Sequence, residues 1–373
     1  MIFKRQWGVF ILGALVAYLT LEVARAKFII NTEELAFGTE TTHVLGDVDG
    51  LVMHCLGARD SALCEKAFDG ADASRTVLWV GNSQLPAINL FEAGQENAPQ
   101  LLFRRLRARD IYLTTYSQPN ANLSEHAVLI NSLLPRYKPD LVVLPVVFDD
   151  IREQGVRPLI ADFMQDADSL NAVRDSKIWG IVKPSLETQS ADASSKANAS
   201  DVKKESLQKV TERAFTGWLE RHWPLWRDRT ALRGTLASAK HLLRNRMLGI
   251  HSYTKRSVHP VLYRDRMALL DFLIDDIQAS GAQALLYLPP YRDDIDGPYI
   301  EAQYEAFKAD LEALARSHNT AFADFEGLVP GKEWATVTDR IFGFKEPDFM
   351  HFTQAGHTAL ASGLNERLID MGF

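Results

Sequence analysis

The sequence predicts an α/β protein: a parallel sheet of five strands with helices on both faces. Two observations carry that expectation. Five short runs are apolar without polar alternation, as in strands buried on both faces, and the segments between them repeat apolar residues at helical spacing. Strands that alternate with helices in this way form parallel sheets whose functional groups gather outside the C-terminal strand ends. The 373 residues suffice for one large domain or two ordinary ones.

The chain begins with Lys4 and Arg5, an apolar run from Trp7 to Leu21, then Glu22 and Ala24-Arg25-Ala26. A positive start, an apolar stretch and a small-x-small triplet describe a secretory signal over residues 1–26. The same run serves equally as a signal anchor if Ile2, Phe3 and Val23 extend it. In either case the basic pair keeps the N-terminus cytoplasmic and the bulk of the chain faces outward. Residues 27–74 show no clear period. Cys55 and Cys64, in "CLGARDSALC", close a small disulfide loop in an oxidising compartment or remain two separate buried thiols.

Residues 75–373 form the main domain. Thr76 to Val80 is the first strand, with helices expected over Ser83–Phe91 and Pro99–Arg107. Ile111 to Thr115 is the second strand, ending in the polar loop "YSQPNAN". A helix over Leu123–Arg136 leads to the third strand, Leu141 to Val147 ("LVVLPVV"). An insertion of about residues 152–264 follows, mostly helical. Its Ser-, Ala-, Asp- and Lys-rich part, about residues 184–206, is too polar to pack and is expected to be mobile. Leu207 to Ile250 is helical; Trp218, Trp223 and Trp226 within it are expected to pack against the domain or a membrane surface. Arg266 to Ser280 is a helix stopped by Gly281. Ala284 to Leu288 and Ala321 to Phe325 are the last strands, with helices over Tyr299–His318 and Thr353–Met371.

A net charge of −7 leaves no basic footprint for nucleic acid. Arg104-Arg105-Leu106-Arg107 reads as a solvated helix face. No Gly-rich phosphate loop follows the first strand, so a nucleotide cofactor is not expected. Two cysteines make no zinc site. Asp149 and Asp150 are a candidate carboxylate pair, but no third ligand accompanies them, so no metal is expected.

Two features carry chemistry. In "VLWVGNSQL", Ser83 stands just past the first strand, where a serine either caps a helix or is held as a nucleophile at the sheet edge. Near the C-terminus, "EPDFMHFTQAGH" sets Asp348 and His351 three residues apart in a loop before the last helix. A serine nucleophile needs a histidine base oriented by a carboxylate, and this spacing lets the carboxylate fold back onto the imidazole. His357 is the competing base; inside the helix, packing or a local hydrogen bond suits it better.

"VGNSQL" together with "DFMHFTQAGH" resembles the SGNH (GDSL-like) hydrolase superfamily over about Arg75 to Phe373, the insertion excluded. More narrowly, the chain is similar to membrane-anchored, outward-facing proteins of teichoic-acid D-alanylation and polysaccharide O-acetylation. The resemblance implies a flavodoxin-like three-layer sandwich, with Ser83 as nucleophile, His351 as base and Asp348 as its orienting acid. The chain departs from the family pattern. Asn82 replaces an aspartate, the second motif's glycine has no match after Thr115, and Val147-Phe148-Asp149-Asp150 replaces Gly-x-Asn-Asp. Asn120, Asn122 or the Ser83 backbone N–H are the remaining candidates for an oxyanion donor.

Arg292, in "YLPPYRDD" after the fourth strand, either holds an anionic or sugar substrate or forms a loop salt bridge. Two functions are therefore expected. One is an exported, cofactor-free esterase or O-acyltransferase acting on envelope glycan, anchored in the membrane beside a membrane-bound acyltransferase. The other is a non-catalytic protein that keeps the fold and binds glycan or scaffolds a biosynthetic complex.

Overall fold

The computed structural model describes residues 2–28, 38–164, 166–187 and 207–373. Most of the segment expected to be mobile, 188–206, lies outside the described residues. The chain divides into two compact units. One comprises Met1–Thr39, Ser195–His251 and Val337–Glu346; the other comprises Glu40–Ser194, Ser252–Thr336 and Pro347–Phe373.

In chain order, the first helix is α1 (Ile2–Phe28). It is followed by β1 (Thr41–His43), β2 (His54–Cys55) and α2 (Ala58–Asp69). Next come β3 (Arg75–Gly81), β4 (Ala87–Asn89), α3 (Ala98–Arg107), β5 (Ile111–Ser117), α4 (Leu123–Tyr137) and β6 (Leu141–Pro145). The insertion contributes α5 (Leu207–His222) and α6 (Arg229–Met247). The chain closes with α7 (Pro260–Ala279), β7 (Gln283–Leu288), α8 (Glu301–Ser317), β8 (Ala321–Asp324), β9 (Trp334–Thr338), β10 (Lys345–Phe352) and α9 (Gln354–Asp370).

The main sheet has six strands in the order β8-β7-β6-β3-β5-β2, all parallel. The five expected strands take the flavodoxin-like order 2-1-3-4-5. The sixth is a correction: two residues, His54 and Cys55, pair with Thr115 and Tyr116 as an edge strand. A two-residue strand has no period to read, so only its pairing reveals it. Its Cys55 is bonded to Cys64 of α2 (S–S 2.00 Å).

Alternation along the central strands sorts their side chains into two cores. Leu78, Val80, Val142, Leu144, Leu286 and Leu288 pack with α4, α7 and α8 on one face. Val77, Trp79, Val143, Leu285 and Tyr287 pack with α3 and α9 on the other. Truncating such a leucine to alanine costs about 2–5 kcal/mol. Capping boxes start two of the helices: Asn97 with Gln100 on α3, and Asn122 with Glu125 on α4. Helix α7 starts six residues earlier than expected because Pro260 suits a first turn.

A second, mixed sheet has the order β1-β4-β10-β9. Within it β4 pairs antiparallel with β1 and parallel with β10, through Phe352 and Ile88. This small sheet brings β4, which follows β3 in sequence, against β10 near the C-terminus.

In the other unit, α1 leaves Phe10, Leu12, Leu15, Val16, Leu19 and Val23 exposed. Charged residues bracket its apolar run, and among the described residues no helix is long and apolar enough to cross a membrane. The expected continuous helix over Leu207–Ile250 is broken at Trp223-Pro224 and at Asp228. Trp218 and Trp223 are 51% and 40% exposed, so of the two expected packings the one against the domain does not bury them.

Candidate active site

Strand β3 ends at Gly81 and the chain doubles back in a tight turn. Leu85 N–H donates to the Asn82 carbonyl (3.3 Å), Gln84 N–H to Asn82 Oδ1 (3.0 Å), and Ala87 N–H to the Ser83 carbonyl (3.2 Å). A Cβ at Gly81 would lie 2.5 Å from Leu85 Cδ1, so close approach, not backbone conformation, requires the glycine. The helix expected over Ser83–Phe91 does not form. Ala87, Ile88 and Asn89 are taken by the mixed sheet, whose cross-strand pairing overrides their weak local preference. No helix dipole therefore acts on Ser83.

Asp348 and His351 are likewise not in a loop. They lie on β10, whose register against β4 brings them to the Ser83 turn. Ser83 Oγ is 3.0 Å from His351 Nε2, and His351 Nδ1 is 3.0 Å from Asp348 Oδ2. Ser83, His351 and Asp348 are 3%, 7% and 5% exposed, so water competes little for these bonds. Asp348 Oδ1 accepts from the Met350 and His351 N–H groups (2.8 and 3.0 Å), which folds the carboxylate back onto the imidazole. Burial alone would raise the Asp348 carboxyl. The neighbouring His351 and the hydrogen bonds the carboxylate accepts outweigh it and hold the group below its ordinary range.

Three side chains brace this triad: Asn89, which the sequence reading missed, Gln84 from the serine motif, and Arg292. Asn89 Nδ2 donates to the His351 carbonyl (2.6 Å) and to Asp348 Oδ2 (3.3 Å). Gln84 Nε2 donates to the Met350 and Pro290 carbonyls (3.1 and 3.3 Å). Arg292, expected as a substrate anchor or a loop salt bridge, is the latter. It pairs with Asp294 (2.7 Å) and donates to the Ala335 and Asp348 carbonyls, leaving one of its five donors.

The other expected oxyanion residues are not brought to the serine. Asn122 is the α4 cap: its Oδ1 accepts from Ser124 and Glu125 N–H and its Nδ2 donates to the Gly155 carbonyl. Asn120 is exposed at a left-handed turn position, φ 54°, where asparagine is favoured for conformational reasons. Asp149 accepts from Arg152 (2.6 Å), Arg256 (2.7 Å) and Tyr299 (3.3 Å), which keeps it an ion-paired acceptor. Asp150 is buried, and its Oδ2 has no hydrogen-bond partner among the described residues. Among the described residues no group of three or more His, Cys, Asp or Glu is placed to hold a metal ion.

A different amide stands at this corner. Gln118 N–H donates to the Gly81 carbonyl (2.9 Å), Ser117 is in register with Gly81, and the Gln118 side chain is 3% exposed. Its Nε2 is buried with no hydrogen-bond partner among the described residues. Only its place at the end of the second strand marked it in the sequence. His357 is a structural pin, its Nδ1 accepting from Ala98 N–H (3.1 Å) and its Nε2 donating to the Ala87 carbonyl (3.0 Å). Burial lowers it to about 3, so it stays neutral.

Beside the triad, Gln84 and Met350 border a small cleft lined by Val147, Phe148, Tyr291 and Phe349. The arrangement is chemically capable of deprotonating Ser83 as it attacks a carbonyl.

No protein-family model matches the chain, and no curated protein matches it. Among solved structures, an α/β hydrolase from the metagenome of Lake Arreo is 13% identical, with 79% of this chain and 95% of that one covered and a TM-score of 0.38. An acetyl xylan esterase from Geobacillus stearothermophilus is 11% identical, with 79% and 94% covered and a TM-score of 0.39. TesA is 15% identical, with 79% and 98% covered and a TM-score of 0.38. Likenesses at these identities and TM-scores fix neither activity nor substrate.

Proposed function

We propose that the protein is a serine-dependent acyl-ester hydrolase or O-acyltransferase of the SGNH type, acting on an envelope glycan. The observation that carries this reading is the buried relay Asp348–His351–Ser83, each link 3.0 Å long. His351 Nε2 takes the Ser83 proton as Oγ attacks the ester carbonyl, and Asp348 holds the ring in the tautomer that can accept it. The acyl group passes to Ser83 while His351 returns the proton to the departing alkoxide. Water or a sugar hydroxyl then takes the acyl group by the reverse sequence. In this reading Gln118 Nε2 supplies the amide donor that the Asp149 replacement removed.

The Cys55–Cys64 bond supports an oxidising, outward location. The exposed apolar surface of α1 supports attachment at a membrane, where a membrane-bound acyltransferase is the partner we propose. A non-catalytic scaffold is favoured by the eroded second and third motifs, the glycine without a match after Thr115 and the asparagine lost at Asp149. Burst kinetics of the full chain with p-nitrophenyl acetate decide between them. A stoichiometric burst lost in both Ser83→Ala and His351→Ala establishes the acyl-enzyme. Equal background release from all three proteins overturns the enzyme reading.

A further inference from the structure

Residues 207–251 carry nine Lys and Arg against three Asp and Glu, a net charge of +6 in a chain of net −7. Their two long helices expose apolar side chains in ordered stripes. On α5, Phe215, Trp218 and His222 recur at helical spacing and stack as a ladder of rings, with centroids 6.3 and 5.0 Å apart. Phe215 and Trp218 are 59% and 51% exposed.

On α6, Leu236, Leu243 and Met247 are 61%, 49% and 78% exposed. At about 100° per residue they fall within roughly 40° of one another on the helix. Arg233, Lys240 and Arg244, all exposed, flank that stripe on one side, while Thr235 on the other is buried.

The position of these helices along the unit is also defined. Asp228, at the start of α6, pairs with Arg25 near the end of α1 (3.2 Å). Arg25 lies just past the point where the apolar run of α1 gives way to charge. An apolar rod thus ends against helices rich in exposed rings and cations. That is the arrangement of an amphipathic helix at a bilayer surface, with apolar side chains at the acyl boundary and basic ones among phosphates.

We propose that α5 and α6 lie on the head-group layer of an anionic bilayer. Trp218, Leu243 and Met247 dip toward the acyl chains and Arg233, Lys240 and Arg244 meet the lipid phosphates. The surface would hold the protein at the membrane independently of any acyl chemistry at Ser83.

Both cysteines of the chain are taken up in the Cys55–Cys64 bond, so single added thiols report position. The full chain bearing Leu243→Cys, Met247→Cys or Ser238→Cys, the last on the opposite side of α6, is labelled with a polarity-sensitive dye. Each is mixed with vesicles of phosphatidylcholine alone or with phosphatidylglycerol. The proposal expects a blue shift at 243 and 247 but not at 238, only with the anionic vesicles. Each of Arg233→Gln, Lys240→Gln and Arg244→Gln is expected to weaken the shift's midpoint about fivefold. Unshifted emission at 243 and 247 in chains that still float with anionic vesicles overturns the proposal. A shift without lipid that grows with protein concentration also overturns it and makes the stripe a self-association surface. Neither outcome depends on whether Ser83 is acylated.

Discussion

Two Asp–His pairs are buried in the α/β unit, and they differ in one respect. His351 and Asp348 are hydrogen-bonded at 3.0 Å and continue to Ser83. His126 and Asp150 approach only to 4.0 Å, beyond hydrogen-bond distance, and Asp150 Oδ2 has no hydrogen-bond partner among the described residues. Burial disfavours the charged form of both members of the second pair. His126 is lowered to about 4, chiefly by desolvation. Asp150 is raised well above its ordinary range by burial and by Asp149, Glu153 and Glu125 nearby. In the first pair the carboxylate keeps its charge because the imidazole and two backbone N–H groups solvate it. Burial of an acid beside a histidine does not make a base; alignment with a proton source does.

That contrast can be broken by substitution. Asp348→Asn should lower acyl transfer to p-nitrophenyl acetate by about 10⁴-fold, because the amide no longer enforces the accepting tautomer. Asp150→Asn should leave the rate unchanged, and an equal loss from both would erase the distinction. Gln118→Ala should cost about 100- to 1000-fold in kcat with KM little altered, as for one oxyanion donor. A change confined to KM would make Gln118 a binding residue instead.

Stability should sharpen the comparison further. A histidine whose folded pKa is depressed stays neutral when the unfolded chain binds a proton, so stability falls as pH drops below about 6.5. For His126 the loss continues to about pH 4 and amounts to roughly 3 kcal/mol. His54 and His357, both lowered to about 3, act in the same direction. Urea titrations between pH 7 and 4 should therefore show a shallower slope, by about one proton, in His126→Gln. Identical slopes would mean that His126 is solvated in the folded state. Asp150 has the opposite sign: its raised folded pKa makes stability fall as pH rises above about 4, so Asp150→Asn should stabilise the neutral protein. The smallest effect is expected from Asn89→Ala, about fivefold in rate, for the loss of bonds worth about 1 kcal/mol that hold β10 to β4.

Much of this was legible in the residues. Continuous apolar runs such as "LVVLP" admit only a strand buried on both faces, and all five such runs are strands of one parallel sheet. Asp348 and His351 were legible because a carboxylate three residues before a histidine can reach it locally. Asn97 and Asn122 each stand three residues before a glutamine or glutamate, and that spacing is a helix start rather than a catalytic amide.

What the sequence by itself determined is the sheet, its two helical layers and the chemical types at the serine corner, because these follow from periodicity and short-range spacing. Tertiary structure decided the rest. Ser83 and His351 stand 268 residues apart, and only the pairing of β4 with β10 brings them together. The same pairing turned an expected helix into a strand. It also made Asn89 a brace for the triad. Asn122 is taken up as the α4 cap and Asn120 faces solvent, whereas Gln118 is buried beside Gly81, and only the folded chain sorts them so. Such contacts carry no periodic signal, since a hydrogen bond between distant residues constrains their positions in space and not their spacing along the chain.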